Sequence, residues 1–433
     1  MRTLIKDALI VTQNKRREVI PRGFVVLRDD TIERVGRGIP PRKLLHSCQK
    51  IIDARKLLVS PGFINPHVHL GESIYAFLLP EVFNLRQYLD ITNRLARQTD
   101  SIEKNRAVIG DYSIFLHLKS GTSTICGGRT ALIAKRWGMR NVSGYMLMNS
   151  AKLRKYSQNT ARRFETELRG NRGSQLTYPA IFIHSLNTIT PAELRDSARL
   201  LDIHPEAKLI VHAAETKEGE SAVERDWEGS TVSILDRHGL LSNRTMLVHG
   251  NWFSEKDLRL IRKRGASIIH CLSSNCNVAD QTLNLEAALA KKITVALGTD
   301  GLATARTLDI LQEARFCFLY HNRFGGSKIS TAKIFDLITI DAARALGLEH
   351  KIGSIEQGKK ADVVFVDSLH PLINKSDPIR SIVYGAQEEA VRGVMIDGKI
   401  KLWNGTLVAP PVSERTLLSR FTKLIQTIKE EAA

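Results

Sequence analysis

The sequence predicts an α/β chain built on a (β/α)8 barrel of the TIM type, with a small β-sandwich domain assembled from both chain ends. Three observations carry this expectation. Eight short apolar runs of strand character alternate with helix-like stretches between residues 61 and 365. Strand-and-turn texture without long helical stretches is found only before and after that region. Histidines and a carboxylate stand at the ends of several of the eight runs, where a barrel enzyme places its chemistry.

Residues 1–60 contain LIKDALIVT, PRGFVVLRDDTIERVG and QKIIDARKLLVSPGF, whose alternating apolar residues and turn signals predict an antiparallel β unit, the first part of the β domain. The barrel follows over 61–365, its strands expected in INPHVHL, GTSTICGG, NVSGYMLM, AIFIHSL, KLIVHAAE, TMLVHGNW, SIIHCLSS and ITVALGTD. Eight βα units in about 250 residues match the usual size of such a barrel. TAKIFDLITIDAARALGL is helical in pattern, and IGSIEQGKKADVVFVD and VRGVMIDGKIKLWNG return to strands. Residues 366–433 therefore complete the β domain and add a terminal helix, in which Leu417, Leu418, Phe421, Leu424, Ile425 and Ile428 recur at helical spacing.

Composition excludes several classes. With 433 residues, 43% hydrophobic and 25% charged, the chain is globular rather than disordered, collagenous or coiled-coil. It lacks an apolar run of about 18 residues, and Lys6 and Asp7 interrupt its start, so a soluble, cytoplasmic protein without membrane contact is expected. Cys48, Cys126, Cys271, Cys276 and Cys317 are odd in number and scattered, as buried thiols in a reducing compartment are. The charge of +18 and the pI near 9.8 attract anions, nucleic acid above all. The basic residues, dense in Arg2–Lys56 and Lys152–Arg172, lack the interleaved aromatics of a single-strand platform, so a solvated basic surface is expected instead.

The strand ends carry the chemistry. His67 and His69 close the first run, and residues two apart on a strand point the same way. His212 ends the fifth run, His249 the sixth, His270 the seventh and Asp300 the eighth, at intervals of whole βα units, so all can converge on the barrel axis. Each histidine taken singly reads equally as a satisfied core residue; their coincidence at successive strand ends points to a site. Imidazoles with one carboxylate suit Zn²⁺ or Fe²⁺, whereas Mg²⁺ and Ca²⁺ prefer more oxygen. Glu215, three residues after His212, falls at the mouth, where a carboxylate can shuttle protons during hydrolysis.

The pieces VSPGFINPHVHL, VHAAET, LVHG, HCLSSN, ALGTDG followed by LDILQEARF, and IGSIEQGKKADVVFVD resemble, in order and over nearly the whole chain, the amidohydrolase superfamily. The similarity is to its branch of cytosine and guanine deaminases, adenosylhomocysteine deaminases and triazine hydrolases. The resemblance implies one divalent transition metal per chain, zinc ahead of iron, held by His67, His69, His212 and Asp300. His184 stands where the two-metal branches carry a carboxylated lysine, which implies a single metal, and it matches a substrate-contacting position. Glu215 would pass protons, His249 would polarise the attacking hydroxide or the substrate, and Asp300 would accept the second proton. His270, Ser273 and Asn275 would form a rim-shaping turn, with Leu272 replacing the family's proline. Glu72 and Tyr75 are near enough to line the substrate pocket.

The implied activity is that of a metal-dependent aminohydrolase releasing ammonia from a C=N carbon of a heterocycle or cyclic guanidine. The alternative keeps the site but expels a triazine chloride or alkylamine, or opens a cyclic amide; Gly301 after Asp300 favours the deaminases. A small-molecule substrate and a homo-oligomer, dimer or larger, are the expected partners.

Overall fold

A computed structural model of the chain describes residues 1–81, 83–148, 162, 164–166, 168, 173–326, 328–386 and 388–432. The basic run Lys152–Arg172 lies almost wholly outside the described residues. Among them, strands fall into two sheets of eight and nine members.

The eight-stranded sheet is the barrel. Its strands are β6 (Phe63–Asn65), β7 (Thr122–Gly128), β8 (Arg140–Leu147), β9 (Thr177–Ile183), β10 (Lys208–Ala213), β11 (Thr245–His249), β12 (Ser267–His270) and β13 (Thr294–Leu297). Each pairs in parallel with the next. Each of the eight sequence-predicted runs contains a strand, because β-branched apolar residues buried on both faces pack well in that conformation, although β6 stops at Asn65, short of His67 and His69, and β12 stops at His270. Alternate residues serve different cores, as the period of two requires. Val211, Leu247, Ile268 and Val295 join the cluster shared with the surrounding helices, while Ile210, Val248, Ile269 and Ala296 belong to a separate one inside. No strand ladder joins β13 to β6 among the described residues. The gap is bridged at the carboxyl end, where the Asp300 N–H donates to the His67 carbonyl at 3.0 Å, so barrel closure itself brings two candidate site residues together. Gly298 permits this approach, since a Cβ there would stand 2.9 Å from Ile269 and 3.0 Å from the His67 Cβ.

The second sheet draws on both chain ends, through β1 (Arg2–Val11), β2 (Val19–Arg28), β3 (Thr31–Arg37), β4 (Lys50–Asp53), β5 (Leu57–Pro61), β14 (Val363–Asp367), β15 (Val391–Ile396), β16 (Lys399–Trp403) and β17 (Thr406–Leu407). The antiparallel expectation for residues 1–60 needs correction. β1, β2 and β3 are antiparallel, but β4 and β5 run parallel to β1, along Thr3–Lys6 and Leu9–Ile10 of one edge. A tight hairpin reverses direction, whereas the crossover through the helix Arg42–Ser47 carries the chain back before it pairs again. β5 then pairs antiparallel with β14, fusing the two termini in one sheet. Ile20, Val25 and Leu27 from one wing share a core with Phe365 and Met395 from the other, so the sheet folds over on itself as a sandwich.

TAKIFDLITIDAARALGL forms two short helices, Thr331–Leu337 and Ile340–Ala345, rather than one. The terminal helix Glu414–Ala432 buries Leu417, Phe421, Leu424 and Ile428, with Phe421 stacked 3.8 Å from Tyr112, whereas Leu418 stays 39% exposed.

Arg140, at the start of β8, locks the barrel to the β domain. Its guanidinium is fully buried and donates from Nε to Asp362 Oδ2 at 2.6 Å, and from Nη2 to Asp362 Oδ1 and Asp397 Oδ1, each at 2.9 Å. Removing one member of such a set strands the opposite charge in the core. Arg140→Met is expected to destabilise the fold by about 3–5 kcal/mol, read from denaturant midpoints, and a cost below ~1 kcal/mol would show the junction to be open to water.

Candidate active site

The candidate residues gather at the carboxyl ends of the barrel strands. His67 and His69 follow β6, His184 follows β9, His212 lies in β10 with Glu215 just beyond it, His249 ends β11 and Asp300 follows β13. His67 Nε2 lies 3.1 Å from His212 Nε2 and 3.3 Å from Asp300 Oδ1, and His69 Nε2 lies 3.1 Å from the same oxygen. The ligand atoms of His67, His69 and His212 are all within 4.8 Å of one another. Donors about 2.0–2.1 Å from a common centre, arranged as a tetrahedron, stand about 3.3–3.4 Å apart. The observed edges fit a borderline divalent cation at the middle of this set.

Electrostatics agree with the geometry. Burial pushes His67 down to about 4 and His212 well below its ordinary value, keeping both imidazoles neutral with lone pairs to give. Burial opposes charge on His69 too, yet the carboxylates of Glu72 and Asp300 prevail and raise it to about 9. Burial likewise opposes ionisation of Asp300, but the hydrogen bonds of His67 and His69 hold it well below the usual carboxylate range. The site thus favours positive charge at its centre.

Backbone strain aims two of these groups. Val248 faces the barrel interior, so by alternation His249 should point at the helices. Instead His249 adopts φ +76° and Asp300 φ +66°, left-handed conformations that non-glycine residues avoid. The twist turns the His249 ring into the mouth, 5.2 Å from that of His212.

A chain of amides fixes that ring. The Asn275 Oδ1 accepts from His249 Nδ1 at 2.8 Å, the Asn275 Nδ2 donates to Asn251 Oδ1 at 2.8 Å, and the Asn251 Nδ2 donates to the Glu215 carbonyl at 2.9 Å. Because Nδ1 carries the proton, Nε2 is left to face Glu215 Oε1 across 3.7 Å. Burial pushes the Glu215 carboxyl up. Asp300 is oriented by Ser274 Oγ, 2.6 Å from Oδ2, and by Thr304 Oγ1 at 3.2 Å, which leaves Oδ1 to the histidines.

His184 is brought alongside, its ring 5.0 Å from that of His212 and its buried Nδ1 without a hydrogen-bond partner. Glu72 Oε1 lies 3.4 Å from His69 Nδ1, and its other oxygen accepts from Tyr88. Tyr75 is packed in an apolar cluster with Ile74, Phe83 and Tyr88. Two sequence expectations are corrected. His270 does not converge on the axis: its Nε2 contacts His321 Nε2 of the helix Ile310–Phe324 at 3.0 Å, behind the sheet, because it shares the outward parity of Ile268. In the short helix Leu272–Val278 after it, where the sequence suggested a turn, Ser274 rather than Ser273 reaches the site, while Ser273 bonds Glu313 of the helix Ile310–Phe324. Ser274 was legible one position along in HCLSSN, and Asn251 lies two residues after His249. Tyr88, 16 residues from Glu72, had no sequence signal.

A parallel barrel that gathers imidazoles and a carboxylate around one possible cation position, with a second carboxylate beside them, has the layout of a metal-dependent hydrolase. Residues 58–401 match the model of the amidohydrolase family, and the chain belongs to that family. It is 26% identical over 435 residues to the 5-methylthioadenosine/S-adenosylhomocysteine deaminase of Pyrococcus furiosus, covering 98% of this chain and 100% of the relative. Among solved structures it is similar to a zinc-bound adenosine deaminase from Xanthomonas campestris, with TM-score 0.89 and 23% identity over 99% of this chain and 98% of the other. It is also similar to the zinc complex of an atrazine chlorohydrolase from Arthrobacter aurescens, with TM-score 0.86 and 18% identity over 98% and 100%. Among the described residues no helix is long and apolar enough to cross a membrane.

Proposed function

We propose that this chain is a zinc-dependent aminohydrolase that converts an amino-substituted C=N carbon of a heterocycle to the oxo form with release of ammonia, the adenine ring of an adenosine derivative being the first substrate class. The observation that carries the reading is Glu215 and His249, paired across 3.7 Å, beside the donor set His67, His69, His212 and Asp300. Whole-length similarity to a deaminase of adenosine derivatives supports the substrate class.

A divalent cation held by His67, His69, His212 and Asp300 would supply Lewis acidity that lowers the pKa of a water toward neutrality. Glu215 takes a proton from the attacking water and delivers it to the ring nitrogen, which becomes N–H as the C=N bond opens. The new C–O bond forms on the carbon that bears the amine. His249, held by Asn275, presents Nε2 to the oxygen as charge develops on it. Asp300, anchored through Oδ2 by Ser274 and Thr304, accepts the second water proton, which passes to the departing amine so that it leaves as ammonia. His184 and Glu72 flank the opening and serve as hydrogen-bonding groups for the substrate. A side chain at Gly301 would begin 3.3 Å from Glu72 Oε2, so glycine there keeps that carboxylate accessible.

The test is product analysis with the zinc-loaded protein on adenosine and its 5′-substituted derivatives, guanine, cytosine, pterins, cyclic guanidines and chlorotriazines. Ammonia is expected from at least one aminated ring, with the fastest turnover among the adenosine derivatives. Chloride or alkylamine release without ammonia would instead assign the alternative leaving groups. Iron-loaded protein, assayed in parallel, decides between the two metals.

A further inference from the structure

A second cluster of metal-ligating side chains lies behind the barrel wall, and nothing in the proposed reaction uses it. His270 closes β12 with outward parity, and the helix Ile310–Phe324 packs over it. That helix presents Glu313, Cys317 and His321 at four-residue spacing, hence on one face. Glu313 anchors the face by accepting from the Ser273 backbone N–H at 3.1 Å and from its hydroxyl. His270 and Cys317 are then fully buried and His321 is 3% exposed, with the ligand atoms of all three within 4.8 Å of one another.

We propose that His270, Cys317 and His321 form a second, structural metal site that takes a zinc-like divalent cation. Two imidazoles and a thiolate are a donor set for Zn²⁺ and its relatives and a poor one for Mg²⁺ or Ca²⁺. The His270 Nε2 to His321 Nε2 distance of 3.0 Å is short enough for both lone pairs to meet one ion. The far side of His321 carries the remaining element: its Nδ1 lies 4.0 Å from Glu286 Oε1, a buried oxygen that has no hydrogen-bond partner. Closing that 4.0 Å gap to a hydrogen bond would hold Nδ1 protonated and turn Nε2 to the metal. The carboxylates of Glu286 and Glu313, with the Cys317 thiolate, supply the negative charge that a buried dication needs. On binding, the Cys317 thiol loses its proton to solvent and its sulfur takes up the cation; no oxidation is involved.

The ion would join three segments, β12, the helix Ile310–Phe324 and, through Glu286, the helix Leu285–Ala290. It would thereby steady the helix Leu272–Val278 after β12, from which Ser274 and Asn275 reach Asp300 and His249. The competing description is a plain imidazole–imidazole hydrogen bond with a buried thiol beside it.

Cobalt substitution separates the two. The full-length protein, loaded with Co²⁺ and desalted, is expected to hold two equivalents per chain and to show a thiolate-to-cobalt charge-transfer band in the near ultraviolet. The catalytic set has no sulfur and cannot produce that band. Cys317→Ala should lose the band and one equivalent, while a His67→Ala, His212→Ala double variant should lose one equivalent and keep the band. One equivalent per chain without a charge-transfer band in the folded parent protein overturns the proposal, and so does a band that survives Cys317→Ala. The parent protein alone suffices for the first of these readings, so a variant that fails to fold leaves the test standing.

Discussion

Glu215→Gln is expected to retain the metal content of the parent protein and to lose about 10²–10⁴ in turnover, the range for removing a general acid–base group. The substitution keeps the shape of the side chain and the Asn251 contact, which is made to the Glu215 backbone carbonyl rather than to the carboxylate. What it removes is the basic oxygen that faces His249 Nε2. Glu215 stands outside the cluster formed by His67, His69 and His212, so metal retention should not depend on it. Metal analysis and steady-state kinetics on the same preparation make the comparison. Near-normal turnover would move the proton route to His249 or to solvent, whereas loss of metal would redraw the ligand set to include Glu215.

The His67→Ala, His212→Ala double variant is expected to lose the metal of the catalytic centre and nearly all turnover. Loss of an outer-shell partner alone typically costs about 10–100-fold in metal affinity or activity, and removal of two direct ligands should exceed that. The two side chains are buried and their nitrogens face each other at 3.1 Å, so losing both opens the middle of the donor set. Asp300→Asn should also lose metal and turnover together, in contrast to Glu215→Gln, because that carboxylate contacts both His67 and His69. Undiminished metal at the catalytic centre of the double variant, with the cysteine-dependent cobalt band accounted for separately, would refute the assignment.

Much of this architecture is written locally. The eight barrel strands are legible because each is a short apolar run whose β-branched residues pack on both faces, a property of the run itself. The positions of His67, His69, His184, His212, Glu215, His249 and Asp300 at strand ends follow from the same runs. A parallel barrel orients all its strands alike, so residues at their carboxyl ends share one face without further information.

The direction of individual side chains is a different matter, because it depends on segments far apart in the chain. His249 and His270 look equivalent in sequence, each closing a strand. A left-handed φ of +76° turns His249 into the mouth, and His270 keeps the alternation of its strand and meets His321 behind the sheet. Whether a strand end twists depends on which neighbours can hold the strained residue, here Asn275 from the next βα unit. The same limit applies to β4 and β5, whose parallel pairing with β1 results from the helix Arg42–Ser47 between β3 and β4 and not from their own residues. Arg140 shows it most simply. Its burial is tolerable only because Asp362 and Asp397, more than two hundred residues away, neutralise it. The sequence alone determined the fold class, the strand runs and the placing of the candidate residues at strand ends, since these rest on periodicity and on the residue types in each run. Tertiary structure decided the facing of His270, the choice of Ser274 over Ser273, the Tyr88–Glu72 contact and the Arg140 junction, because each is a pairing whose free energy exists only when both partners are in place.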